Sequence, residues 1–347
     1  MGYLKNFLKK LSVNNENSSL RTDSETDKPV KTAYRLKTDP KFELDGFYKS
    51  LGSSIQRISN NNELLEMLRH YAEEGSYLAQ YELGLRYVEG EGIEVSADDA
   101  YKWFMQASEK GFYKAQYLLS QCFFFGFGTS QNYSKSFSWM NKAAEQSMPE
   151  AQYELAGMFE QGKGVNQNYC EAEKLYRISA EHGFAASIYR LGYNYEAGVS
   201  GFKKDKDEAF KWYFKAAMKD YAPALCRLAK CFYQGDGIAR NVNDAIKYMT
   251  MAAEQGLPVA QCYLGTMHYN NGNYAKAVKW YRKAAEQGYE NAQQKLGKCY
   301  EDGIGVPKSN MEALKWYNFN QSEATVIYRE YWKKFNVLSV VEESRID

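Results

Sequence analysis

Histidine is nearly missing from this chain, with three residues in 347, at positions 70, 182 and 268. So few imidazoles allow most catalytic constellations to be checked by inspection, and no HExxH, nucleophile-elbow or phosphate-loop pattern is found. The six cysteines, at 122, 170, 226, 231, 262 and 299, form no CxxC pair. Zinc and dithiol redox motifs are therefore not expected. Charge of one sign is lacking too: 44 Lys and Arg stand against 43 Asp and Glu, and a duplex binder normally carries a strongly basic balance. No run of about 18 apolar residues exists, which removes a membrane-spanning helix. The opening MGYLKNFLKKL has no apolar core of signal-peptide length, so the expectation is a cytoplasmic protein with free thiols.

Aromatics are abundant, at 16% of residues, too many for a wholly disordered chain. They recur with a period. AQYELG at Ala79, AQYLLS at Ala115, AQYELA at Ala151, SIYRLG at Ser187, ALCRLA at Ala224, AQCYLG at Ala260 and AQQKLG at Ala292 mark seven units. A fixed spacing of this length is the mark of a repeat architecture. Counted from each of these starts, a small residue, a Leu four on, a small residue five on and an aromatic eight on share one side of a helix, here named helix A. Gly90, Gly126, Gly162, Gly198, Gly235 and Gly303 follow it at one offset, as a backbone leaving a helix at positive φ requires. The second half of each unit carries helix B, marked by Ala100, Ser136, Ala172, Ala209, Ala245, Ala277 and Ala313. Three residues later come Trp103, Trp139, Leu175, Trp212, Tyr248, Trp280 and Trp316, which predicts one large packing knob per unit.

The succession A-x-Y-x-L-G, G-x-G-V/I and A-x-x-W-Y/F-x-x-A-A-E-x-G resembles the Sel1-like repeat, a relative of the tetratricopeptide repeat. AQYELGLRYVEGEGI, AQYELAGMFEQGKGV and AVKWYRKAAEQG carry the likeness over about two thirds of the chain. It implies an all-α fold, an α/α superhelical solenoid of helix-turn-helix repeats, and a role in holding protein partners. A single helix pair cannot cover its own apolar face, so the array needs caps. The expected organisation is an N-terminal arm over 1–40, capping helices over 41–78, seven repeats over 79–317, and a closing helix and tail over 318–347. The units at Ala260 and Ser187 depart from the pattern in their turns, NNGNYAKA and AGVSGFKK.

Tetratricopeptide-like geometry would line the groove with helix A offsets 2, 6, 9 and 10. These positions hold Tyr81, Tyr117, Tyr153, Tyr189, Tyr193, Phe124 and Phe125 among others. The second-offset tyrosines read either as groove residues or as a seam between successive A helices. In QCFFFGFG (121–128), Phe123 is a core residue, and Phe124, Phe125 and Phe127 are an expected exposed apolar patch unless the arm or a neighbouring helix covers them. The expected partner-binding set is thus Phe124, Phe125, Phe127, Tyr117, Tyr153, Tyr189 and Tyr193.

Other candidates read more plainly. His268 stands where other units have Tyr or Phe, a packed position, while His70 and His182 sit near helix B C-termini. Cys122, Cys231 and Cys299 share the seventh offset as apolar fillers, and no disulfide, metal, cofactor or nucleic acid is expected. Leu4, Phe7, Leu8 and Leu11 give residues 1–11 one apolar face beside Lys5, Lys9 and Lys10, which suits either an anionic membrane surface or docking onto the array. Three functions remain in view: a non-enzymatic scaffold or adaptor, an immunity protein that neutralises a secreted bacterial toxin, and, most remotely, an enzyme with an unrecognised site.

Overall fold

The computed structural model describes residues 61–318. The expected arm over 1–40, the start of the capping segment at 41–60 and the closing helix and tail beyond 318 lie outside the described residues. Among the described residues there are fifteen helices and no strand. Two compact units divide them, the first taking those up to Ala151 with Lys163–Asn166, the second Gln152–Gly162 and those from Gln167 on.

The first unit holds α1 (Asn61–Glu73), α2 (Tyr77–Glu89), α3 (Ala97–Glu109), α4 (Tyr113–Phe125) and α5 (Tyr133–Glu145). Helix α6 (Pro149–Gln161) begins there and continues into the second unit. The second unit adds α7 (Tyr169–Glu181), α8 (Ala185–Ala197), α9 (Lys206–Ala217), α10 (Ala222–Gln234) and α11 (Val242–Glu254). It closes with α12 (Pro258–Asn270), α13 (Tyr274–Glu286), α14 (Glu290–Asp302) and α15 (Asn310–Tyr317). Even numbers from α2 to α14 are A helices and odd numbers from α3 to α15 are B helices.

The helix ends are written in side chains. Ser96, Asn132, Asn168, Asp205, Asn241 and Ser309 each precede a B helix and accept backbone N–H groups two or three residues on. Helix α13 lacks such a bond at Asn273, in the unit whose turn is shortened. Helices α2, α4, α8, α10 and α14 end on glycines in the left-handed region, each amide bonding back four residues. The second glycine of the turn has a different reason. A Cβ on Gly305 would stand 2.6 Å from the Tyr274 carbonyl oxygen, and Gly128, Gly164 and Gly237 press on Ala97, Tyr133 and Lys206 in the same way. That glycine lets each turn rest on the start of the preceding repeat's helix B.

The packing knob lies one residue beyond the expected one. Four residues after the helix B marker come Phe104, Met140, Tyr176, Tyr213, Met249 and Tyr281, all buried. The tryptophans at the expected position are half-buried in α3, α5, α9 and α13, and only Trp316 is buried. Helical phase explains the correction: adjacent positions differ by about 100° of azimuth, and it is the later one that faces the small fifth offset of helix A. A Cβ on Gly84 would lie 2.5 Å from the Phe104 ring, on Gly192 2.8 Å from Tyr213 and on Gly265 2.7 Å from Tyr281. The tryptophans instead carry lysines on their faces, Lys142 at 3.9 Å from Trp139 and Lys215 at 4.3 Å from Trp212.

Candidate functional site

Helix A presents two kinds of contact to its neighbours. At the first offset, Gln80, Gln116, Gln261 and Gln293 are buried and donate through Nε2 to the carbonyls of Ala72, Ser108, Ala253 and Ala285 on the preceding helix B. These bonds of 2.9–3.2 Å satisfy C-terminal carbonyls that a helix leaves without partners. At the second offset the tyrosines form the seam between successive A helices. Tyr81 meets Phe112 edge-on with ring centroids 5.1 Å apart, Tyr153 meets Phe184 at 5.5 Å and Tyr189 meets Tyr221 at 5.7 Å. Burial pushes the Tyr81, Tyr153 and Tyr221 hydroxyls well above the ordinary phenol range. Tyr153 and Tyr189 stay half-buried while Tyr117 is buried.

At the ninth offset the face carries carboxylates joined to groups on helix B and on the next repeat. Tyr176 Oη donates to Glu160 at 2.9 Å, Arg190 Nη2 donates to the same carboxylate at 2.8 Å, and Ser200 Oγ donates at 2.7 Å. One repeat on, Tyr213 donates to Glu196 and Arg227 lies 3.5 Å from it. In the last repeat Tyr317 donates to Glu301 at 3.0 Å. A glutamate at offset nine thus goes with a tyrosine at the helix B knob. Where the knob is Phe104, Met140 or Met249 the ninth offset is Val88, Phe124 or Tyr233. Tyr281, facing Tyr269, turns its hydroxyl to Thr266 Oγ1 at 3.1 Å. That pairing is readable in the seven units once the two positions are set side by side. Lost hydration and the neighbouring charges act together: burial pulls against the Arg190 guanidinium, and the Tyr176 and Glu160 oxygens beside it outweigh that and hold it ionised.

The same pairing corrects the reading of Phe124 as exposed. Its side chain is 8% accessible, packed edge-on against Phe125 at 4.9 Å and Tyr133 at 5.1 Å, with Lys163 Nζ 5.1 Å above its ring. Burial lowers the Lys163 ammonium below the usual lysine range. Phe125 and Phe127 are half-buried, and so is Tyr193, whose ring carries the Arg190 guanidinium at 5.2 Å. Phe124 and Tyr117 are therefore buried in the first unit, where Phe125 and Phe127 are half-buried, and in the second unit Tyr153, Tyr189 and Tyr193 are half-buried.

The remaining candidates fall into place around this face. His268 is half-buried rather than fully packed, and burial with Lys276 nearby lowers its imidazole. His182 follows α7, with Nδ1 3.1 Å from Gln152 Oε1. Cys122, Cys231 and Cys299 are buried, as are Cys226 and Cys262, and Cys170 is exposed. Burial pushes the Cys122, Cys231 and Cys262 thiols up to about 12, which removes them from nucleophilic chemistry near neutrality. Among the described residues no His, Cys, Asp or Glu cluster is arranged to hold a metal, and no helix is long and apolar enough to cross a membrane.

A family model described as Sel1 repeat matches residues 78–112, 114–148, 149–184, 185–221, 222–257, 258–289 and 291–318, the same seven units marked by the sequence period. Among solved structures, a protective antigen of uropathogenic Escherichia coli strains displaying an SLR fold is 32% identical over 78% of this chain, with a TM-score of 0.62. The match spans 61% of that protein, less than two thirds of its length. A Sel1 repeat protein from Oxalobacter formigenes is 28% identical over 74% of this chain and 98% of its own, with a TM-score of 0.61. An immunity protein from Pseudomonas aeruginosa is 22% identical over 65% of this chain and 82% of its own, with a TM-score of 0.43, and that likeness carries no functional argument.

Proposed function

Because the chain belongs to the Sel1 repeat family, whose members are generally protein-interaction scaffolds, we propose that it is a non-enzymatic scaffold or adaptor that holds a partner protein on its helix A face. One observation supports this most directly: on the helix A face of the second unit Tyr153, Tyr189 and Tyr193 are half-buried and packed against neighbouring rings or a guanidinium. Aromatic rings held this way lose little freedom on binding and serve as anchors, which are few in most interfaces. In the first unit, taken by itself, Phe125 and Phe127 are likewise half-buried.

The test is affinity capture on the full-length chain followed by mass spectrometry, with Phe125→Asp and Tyr193→Asp run in parallel. A partner retained by the parent should fall at least tenfold with either variant while helical circular dichroism is kept, since both side chains are only half-buried. Equal capture by parent and both variants would overturn the reading. A captured partner that proves to be a secreted toxin, inactive in the complex, would turn the scaffold into an inhibitor acting through the same face.

A further inference from the structure

On the helix A face of repeats three to five, offsets 2, 3, 6, 9 and 10 carry six ionisable side chains: Glu154, Glu160, Arg190, Glu196, Arg227 and Lys230. Four of them pair off, Arg190 with Glu160 at 2.8 Å and Arg227 with Glu196 at 3.5 Å. Glu154, on α6, has no hydrogen bond and no base within ion-pair distance among the described residues, and Lys230, on α10, has no carboxylate within that distance among them. Lys230 Nζ rests instead over the Tyr263 ring at 4.0 Å. Both side chains are half-buried. Opposite charges are thus left over at the two ends of a stretch that is otherwise neutralised.

We infer that this stretch seats an extended segment of the partner, which brings a cation to Glu154 and an anion to Lys230. The inference rests on the scaffold reading and deepens it by naming the partner's charge pattern. Two A-to-A steps separate the residues, and with helices packed about 8–10 Å apart the charges stand roughly 20 Å from each other. An extended chain advances about 3.3–3.6 Å per residue, so the partner's charged residues fall about six positions apart. Tyr153, Tyr189 and Tyr193 lie along the same path and supply apolar contact between the two charges.

The cost of keeping these charges argues for a use. Burial alone raises the Glu154 carboxyl to about 7, and burial lowers the Lys230 ammonium with Arg227 adding to the effect. Each group therefore destabilises the free protein in its ionised form, and each would recover that loss against an opposite charge. Repeat two fills the position of Glu154 with Leu118, fully packed, so the carboxylate is not a requirement of the repeat. Residues that weaken a fold in this way are the kind retained for binding.

Fluorescent peptides on an Ala/Ser background, titrated by anisotropy against the full-length chain, test the pattern. A peptide with Lys and Asp about six positions apart should bind at least tenfold tighter than Lys/Lys or Asp/Asp peptides of that spacing, or than one with adjacent charges. Glu154→Lys should move the preference to Asp/Asp, and Lys230→Glu should move it to Lys/Lys, with helicity unchanged in both. No binding by any peptide, no preference among them, or a preference that the reversals leave in place would overturn the inference. If the peptides fail while Phe125→Asp and Tyr193→Asp still abolish capture, the charge pattern falls and the scaffold reading stands.

Discussion

In the first unit, the residues at helix A offset nine, the helix B knob and offset three of the next helix A are Val88, Phe104 and Leu118, all buried. In the second unit the same three positions hold Glu160, Tyr176 and Arg190, joined by hydrogen bonds of 2.9 and 2.8 Å to one carboxylate. One backbone arrangement accepts both sets because each is complete in itself. An apolar set needs nothing but close contact, and a polar set is tolerated only when every donor finds its acceptor. No described repeat places a glutamate at offset nine beside a Met or Phe knob.

The largest effect is expected from removing a knob. Tyr213 is fully buried against Gly192 and donates to Glu196, so Tyr213→Ala should cost about 3–5 kcal/mol in a denaturant melt. Trp212→Ala, one residue earlier and half-buried, should cost clearly less. Equal losses would return the knob to the tryptophan position. Next in size is the conversion of one kind of junction into the other. Glu160→Val alone strands Tyr176 and Arg190 and should cost about 2–3 kcal/mol. The triple variant E160V/Y176F/R190L, which copies the first-unit set, should melt within about 1 kcal/mol of the parent. A triple variant no better than the single one would show that the two junctions are not interchangeable.

The smallest effect concerns Glu154, which stands at offset three where repeat two has Leu118. Burial raises its carboxyl from 4.5 to about 7, so between those values the folded chain holds a proton that the unfolded chain has released. Stability therefore falls as pH rises through this window. Glu154→Gln should match the parent near the bottom of that window and exceed it above the top by on the order of 1 kcal/mol, measured as the melting difference across pH. A difference independent of pH would remove the desolvated carboxylate from the account.

Most of the architecture was legible because the repeat writes each structural rule seven times. Small fifth offsets, glycines after helix A and capping residues before helix B all appear in register, and the helices follow them. The knob was harder to place, because Trp and Tyr are adjacent in WYF and WYR and size alone favours the tryptophan. What decides is azimuth: the small residue on helix A faces the second aromatic, and that needs both helices at once. Phe124 was misjudged for a related reason. Its offset alone assigns it to the groove, yet its real counterpart is Met140, and the two vary together. The buried glutamines at the first offset look like surface residues in the alignment of units, and only the carbonyls they reach on the preceding helix explain them.

The second turn glycines have a consequence for how such a protein changes over time. At Gly128, Gly164, Gly237 and Gly305 a peptide group rests on the carbonyl of the preceding repeat, so the step from one repeat to the next is set by dimensions that every amino acid shares. Side chains on the helix A face bridge successive repeats as well, but this turn contact does not depend on them. Mutation can rewrite which rings and charges a partner meets while the distances between them stay constant, and a new specificity can be acquired one residue at a time on an unchanged ruler.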